Sequence, residues 1–201
     1  MSEHKKLRVI LPLTRIPAFN LLLQQGVWLR AEVGCSVSNL LTEQFGIDQN
    51  YIIERITTLF MDGKPIDDVE ASYVNDGSTV ALSSAMPRLV GVMMRRGGHL
   101  AAMRGTITHQ SHKQEQFGIG RVKIKLFNMV MTELGASFLS QGILLSCSEL
   151  QSFLSEQGDI FWQDSGGILW DGHQIALSHL KKNLSLRDLQ DEIFVRFEFT
   201  E

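Results

Sequence analysis

Early in the chain, residues 7–13 (LRVILPL) form an apolar, β-branched run bounded by polar residues, and 27–33 (VWLRAEV) alternate apolar and polar positions. A period of two is the pattern of a strand with one buried face. The pair is expected to form a hairpin, joined by an apolar stretch through Ile16, Phe19 and Leu23 and a turn at Gln24-Gln25-Gly26. The period then changes. Ser36 caps a predicted helix carrying Val37, Leu40, Leu41 and Phe45, which Gly46 stops. Residues 56–61 (ITTLFM) read as a strand, Asp62-Gly63 as a hairpin turn and Pro65-Ile66 as the return. A turn at Asn75-Asp76-Gly77 leads into a last strand, 78–82 (STVAL).

The second half repeats this order. A strand at 122–127 (VKIKLF) alternates apolar and basic residues, and FLSQGILL at 138–145 echoes LLQQGVWL at 22–29. Cys147-Ser148 echoes Cys35-Ser36, and Ser148 with Gln151 fits a capping box at the start of a helix. FLSEQG at 153–158 parallels LLTEQFG at 40–46, ILWDGHQI at 168–175 parallels LFMDGKPI at 59–66, and 191–195 stands where 76–80 stood. Matched features in one order imply a duplicated supersecondary unit.

These residues resemble the ubiquitin-like β-grasp, in particular the sulfur carriers typified by the molybdopterin-synthase small subunit and the thiamine sulfur carrier. The resemblance rests on VKIKLF opening a unit, the helix NLLTEQFG, the hairpin from Phe60 to Asp68 and NDGSTVAL at 75–82. It implies an α+β protein of two tandem β-grasp domains, each a mixed sheet packed on a helix. The expected boundaries are 1–86, a basic glycine-containing connector at 87–120 that forms a hairpin, and 121–201.

A carrier of that family works through an extended Gly-Gly tail whose terminal carboxylate is adenylated. Here Arg95-Arg96-Gly97-Gly98 resembles such a tail but is internal, followed by His99, and the last residues are Phe199-Thr200-Glu201. A carrier role would therefore require cleavage after Gly98, expected to separate the domains. The same residues also suit a β-hairpin with Gly-Gly at the turn, or an anion-binding loop.

Charge sharpens the picture of this connector. Residues 87–125 hold eight cations and one anion within a chain of net charge -3, so the rest is acidic. A basic middle fits an acidic partner, nucleic acid, or contact with the chain's own acidic segments. Phe117 is the lone aromatic there, so nucleic acid is not expected. His99, His109 and His112 could in principle share a zinc ion, but their polar surroundings suit solvated histidines better, and no metal or other cofactor is expected. Cys35 and Cys147 sit at helix starts, where a dipole can lower a thiol pKa; a small half-buried residue is the simpler reading. Two cysteines, no secretory-type start and no apolar run near ~20 residues point to a cytoplasmic protein without a membrane span. No nucleophile–base grouping stands out, so no catalytic residue is assigned and the chain is not expected to be an enzyme. The expected function is a protein-interaction or adaptor module, touching its partner through an exposed sheet face and through Arg95, Arg96, Gly97, Gly98 and His99. The alternative is a sulfur carrier or modifier, with a protease and an activating enzyme as partners.

Overall fold

The computed structural model describes residues 4–84, 95, 96, 98 and 117–201. It is α+β, with strands in mixed parallel and antiparallel pairing. Two compact units divide the chain: Leu23–Glu133, and a second made of Met1–Leu22 with Leu134–Glu201. These do not follow the expected bounds of 1–86, 87–120 and 121–201, because one unit is continuous and lies, along the sequence, between the N-terminal and C-terminal segments of the other.

In the continuous unit the strands are β2 (Val27–Val33), β3 (Thr58–Met61), β4 (Lys64–Pro65), β5 (Thr79–Ser83) and β6 (Gly118–Phe127). They lie side by side as β4-β3-β5-β6-β2. β6 is antiparallel to β2 and parallel to β5, while β3 is antiparallel to both β5 and β4. Alternation sends Val27, Leu29, Val80, Leu82, Val122, Ile124 and Leu126 inward, all buried. The same core holds Val37, Leu40 and Leu41, from α2 (Val37–Asn39) and the π-helical turn Leu40–Gln44 that continues it, and Ile52 from α3 (Gln49–Glu54). Ser36 caps α2 by accepting from the Asn39 N–H, and Gly46 follows at φ +66°, both as the sequence implies. Asp62 and Gly63 both take positive φ in the β3–β4 turn, the backbone of a tight hairpin.

The second unit contains β1 (Lys5–Pro12), β7 (Ile143–Ser146), β8 (Gly167–Trp170), β9 (His173–Ile175) and β10 (Glu192–Thr200). Its order is β7-β10-β1-β8-β9. β10 is antiparallel to β7 and parallel to β1, and β8 is antiparallel to β1 and β9. Helices bury residues here too. α5 (Cys147–Glu156) buries Leu150, Phe153 and Leu154, the short α6 (Asp159–Trp162) buries Phe161, and α7 (Leu177–Ser185) buries Leu180 and Leu184. Phe19 stacks on Phe153 at 4.9 Å and meets Phe197 edge-on at 4.6 Å, which ties residues from both ends of the chain into one core.

The hairpin expected between residues 7–13 and 27–33 does not form. β1 pairs with β10 and β8, and β6 takes the place beside β2. Both strands offer three alternating aliphatic residues, Leu7, Val9 and Leu11 or Val122, Ile124 and Leu126, so local pattern does not choose between them. The expected domains therefore do not each bury their own interior. What repeats along the chain is the order strand, helix, strand, capped helix, hairpin, strand, in β1 to β5 and again in β6 to β10. α1 (Asn20–Gln25) and α4 (Asn128–Gln141) each end at a glycine, Gly26 at φ +99° and Gly142 at φ +102°, before β2 and β7.

One cap is shifted. The capping box of α5 is Ser146 with Glu149, not Ser148 with Gln151: the Ser146 hydroxyl accepts from the Glu149 N–H and the Glu149 carboxylate accepts from the Ser146 N–H.

Candidate interaction surface

The face of the continuous unit turned away from its core is built by the same alternation. β2 presents Trp28, Arg30 and Glu32, and β6 presents Arg121, Lys123 and Lys125. In the ladder Trp28 stands opposite Lys123 and Arg30 opposite Arg121, while Ala81 on β5 stands opposite Lys125. The Arg121 guanidinium lies 5.2 Å and the Lys123 ammonium 5.3 Å from the Trp28 ring, so one indole is shared by two cations. Each such contact is worth about 0.5–1 kcal/mol at an exposed site. Like charges directly opposite in an antiparallel pair repel. The face keeps Arg30 facing Arg121 in spite of that, although the unit as a whole balances 11 cations with 11 anions. Its basic character is a matter of placement, not of composition.

Gly26, at the start of β2, belongs to the same surface. A Cβ there would come within 2.7 Å of Lys125 Cγ and 3.1 Å of Lys123 Cγ, so both lysine stems run over the glycine backbone. This holds the aliphatic stems down and lets the ammonium ends reach outward.

Of the residues singled out in the connector, Arg95, Arg96 and Gly98 are described, whereas Gly97 and His99 lie outside the described residues. Arg96 is anchored twice to the continuous unit: its N–H donates to the Thr57 carbonyl at 2.8 Å, and Nη2 donates to the Ile52 carbonyl at 2.7 Å. Half-burial pushes the guanidinium pKa down, partly offset by Asp67. Arg95 is exposed, and its carbonyl accepts from the Gly98 N–H at 3.2 Å, closing a turn across these residues. The arms of the hairpin expected around Gly97-Gly98 fall almost wholly outside the described residues. The connector residues thus contribute an anchored arginine and a turn, and the sheet-face residues Trp28, Arg30, Arg121, Lys123 and Lys125 are additions to the expected site. Their signal was the alternation in VWLRAEV for Trp28 and Arg30, and in VKIKLF, which Arg121 precedes, for the basic residues of β6.

On the second unit's outer sheet face Arg8 of β1 pairs with Glu198 of β10 at 2.5 Å and stands opposite Arg196 in the ladder; elsewhere on β1, Lys5 reaches Asp171 at 2.8 Å. Beside the latter pair, a small open pocket of about 290 Å³ is lined by His4, Lys5, Lys6 and Asp171.

The cysteines do not form a reactive pair. Burial pushes both thiols up; Cys147 is fully buried, and Cys35 donates to the Glu32 carbonyl while Gln44 Nε2 approaches its sulfur. His109 and His112 lie outside the described residues, and among the described residues no His, Cys, Asp and Glu cluster of metal-binding size occurs. No described helix is long and apolar enough to cross a membrane.

Fold and surface together define an α+β protein of two mixed-sheet units, one with a basic, aromatic outer face. No family model matches the chain, and neither a curated protein nor a solved structure matches it.

Proposed function

We propose that the chain is a non-catalytic, ubiquitin-like protein-interaction or adaptor module that docks an acidic protein surface on the outer face of its continuous unit. The observation that carries this reading is the row of Arg30, Arg121, Lys123 and Lys125 around Trp28, opposed on that face by Glu32. Four cations around an amphipathic ring suit a partner carboxylate cluster, because each new ion pair also relieves repulsion within the row. Trp supplies apolar contact area with little side-chain entropy to lose. The ubiquitin-like reading draws support from the order β4-β3-β5-β6-β2, with two parallel central strands flanked by antiparallel neighbours and helices on one face.

A sulfur carrier made by cleavage after Gly98 is less well supported. A carrier tail must extend freely, and Arg96, two residues before Gly98, is held by the Thr57 and Ile52 carbonyls.

The test is capture of partners by the native chain from nuclease-treated extract of its own cells, beside a folded variant with Lys123→Glu and Lys125→Glu. An acidic protein retained by the native chain and lost from the variant, with at least a tenfold drop in affinity, supports the proposal. The same proteins retained equally by both would overturn it. Tighter binding of a single-stranded oligonucleotide than of any protein, weakening steeply with salt, would move the surface to nucleic acid.

A further inference from the structure

We infer that residues 1–98 and 99–201 are two interlocking halves, so that a chain cut between Gly98 and Phe117 remains one particle. The argument is topological. The segment before the connector supplies β1 to β5, and the segment after it supplies β6 to β10. The units do not respect that division: β6 completes the unit of β2 to β5, and β1 completes the unit of β7 to β10.

Each crossing strand is central, with neighbours on both sides. β6 aligns with β2 from Gly118 to Ile124 and with β5 from Lys123 to Phe127. β1 aligns with β10 along its whole length, from Lys5 to Pro12, and with β8 from Leu7 to Ile10. Val122, Ile124 and Leu126 of β6 are fully buried, as are Val9 and Leu11 of β1, with Leu7 at 1 % exposure. To leave, either strand must break two ladders and uncover an apolar core. The halves are held at both places at once, so releasing one strand leaves the other to hold its partner near, and rebinding is effectively intramolecular. The surface each half offers is a strand-wide slot, and the partner it fits is the other half of this chain.

The inference overturns the expectation that cleavage after Gly98 would release separate domains. It also stands apart from the docking face: the interlock could hold while no acidic partner binds, and the reverse.

The test places a specific protease site directly after Gly98 in the full chain, verifies the uncut fold by circular dichroism, and cuts to completion under native conditions. Intact mass and a denaturing gel report the two fragments; size exclusion and native mass spectrometry report the particle. Co-elution at the volume of the 22.6 kDa uncut chain, through a hundredfold dilution, is the expected result. Hydrogen exchange at residues 5–12 and 118–127 should remain as slow as before the cut. Separation of the fragments in native buffer, or loss of protection in both strands, would overturn the inference.

Discussion

At Gly26 and Gly142 the backbone takes nearly the same left-handed φ, but what lies above each differs. An added Cβ at Gly142 would strike the Phe194 ring, whereas at Gly26 it meets the flexible stem of Lys125. Alanine at either position carries backbone strain of about 1–2 kcal/mol. Gly142→Ala adds an overpacking cost of about 1–3 kcal/mol and Gly26→Ala adds little, so urea denaturation should show the first variant clearly the less stable. The acid side of the stability curve has a residue-level origin as well. Glu133 accepts from Arg55 and from the Tyr51 hydroxyl at 2.5 Å, and these bonds hold its carboxyl below the usual carboxylate range. A depressed folded pKa stabilises above the carboxyl's ordinary range and loses that contribution as pH falls through the folded value. The wild type should therefore lose more of its urea midpoint between pH 6 and pH 3 than Glu133→Gln does; parallel curves would refute the assignment. For the thiols, iodoacetamide on the native protein should label half-exposed Cys35 well before Cys147, with intact mass as the readout.

Element boundaries were legible where a capping residue or a turn announces them. Ser36, Asp62-Gly63 and Asn75-Asp76-Gly77 all stand where their side-chain chemistry and backbone freedom put them. α3 and α7 were not read. α3 spans only six residues, too few for helical periodicity to register, and its one signal was Asp48, whose carboxylate accepts from the Asn50 and Tyr51 N–H groups. α4 was legible in principle, since Val130, Leu134 and Phe138 recur every four residues. The shifted cap of α5 gives a direct comparison. Ser146→Ala should cost about 1 kcal/mol by thermal or urea unfolding, and Ser148→Ala distinctly less, because the Glu149 N–H bonds to Ser146. Equal losses would return the cap to the position read from sequence.

For the whole molecule, the two sets of strands were visible but their partners were not. The repeat from 27–66 to 143–175 is local and left its echo in residue order. The choice of central strand is a long-range competition among similar apolar segments, which no window along the chain records. The basic face was half visible: the alternation in VKIKLF was plain, but seating Trp28 between Arg121 and Lys123 needed the β2–β6 pairing. The pairing of β1 with β8 and β10 makes a separable prediction. Leu11→Ala should destabilise by about 2–5 kcal/mol, and its faster hydrogen exchange should concentrate in residues 167–170 and 192–200, not in 27–33. Faster exchange at 27–33 would restore the hairpin expected from the sequence.

β1 is translated well before the strands it pairs with, β8 and β10. Residues 23–133 can close their sheet while residues 134–201 are still being made; β1 must wait, apolar, about 155 residues for β8 and about 180 for β10. The first of these ten strands is thus among the last to be seated, and a nascent chain arrested before residue 167 would carry it as an open target for chaperones or proteases.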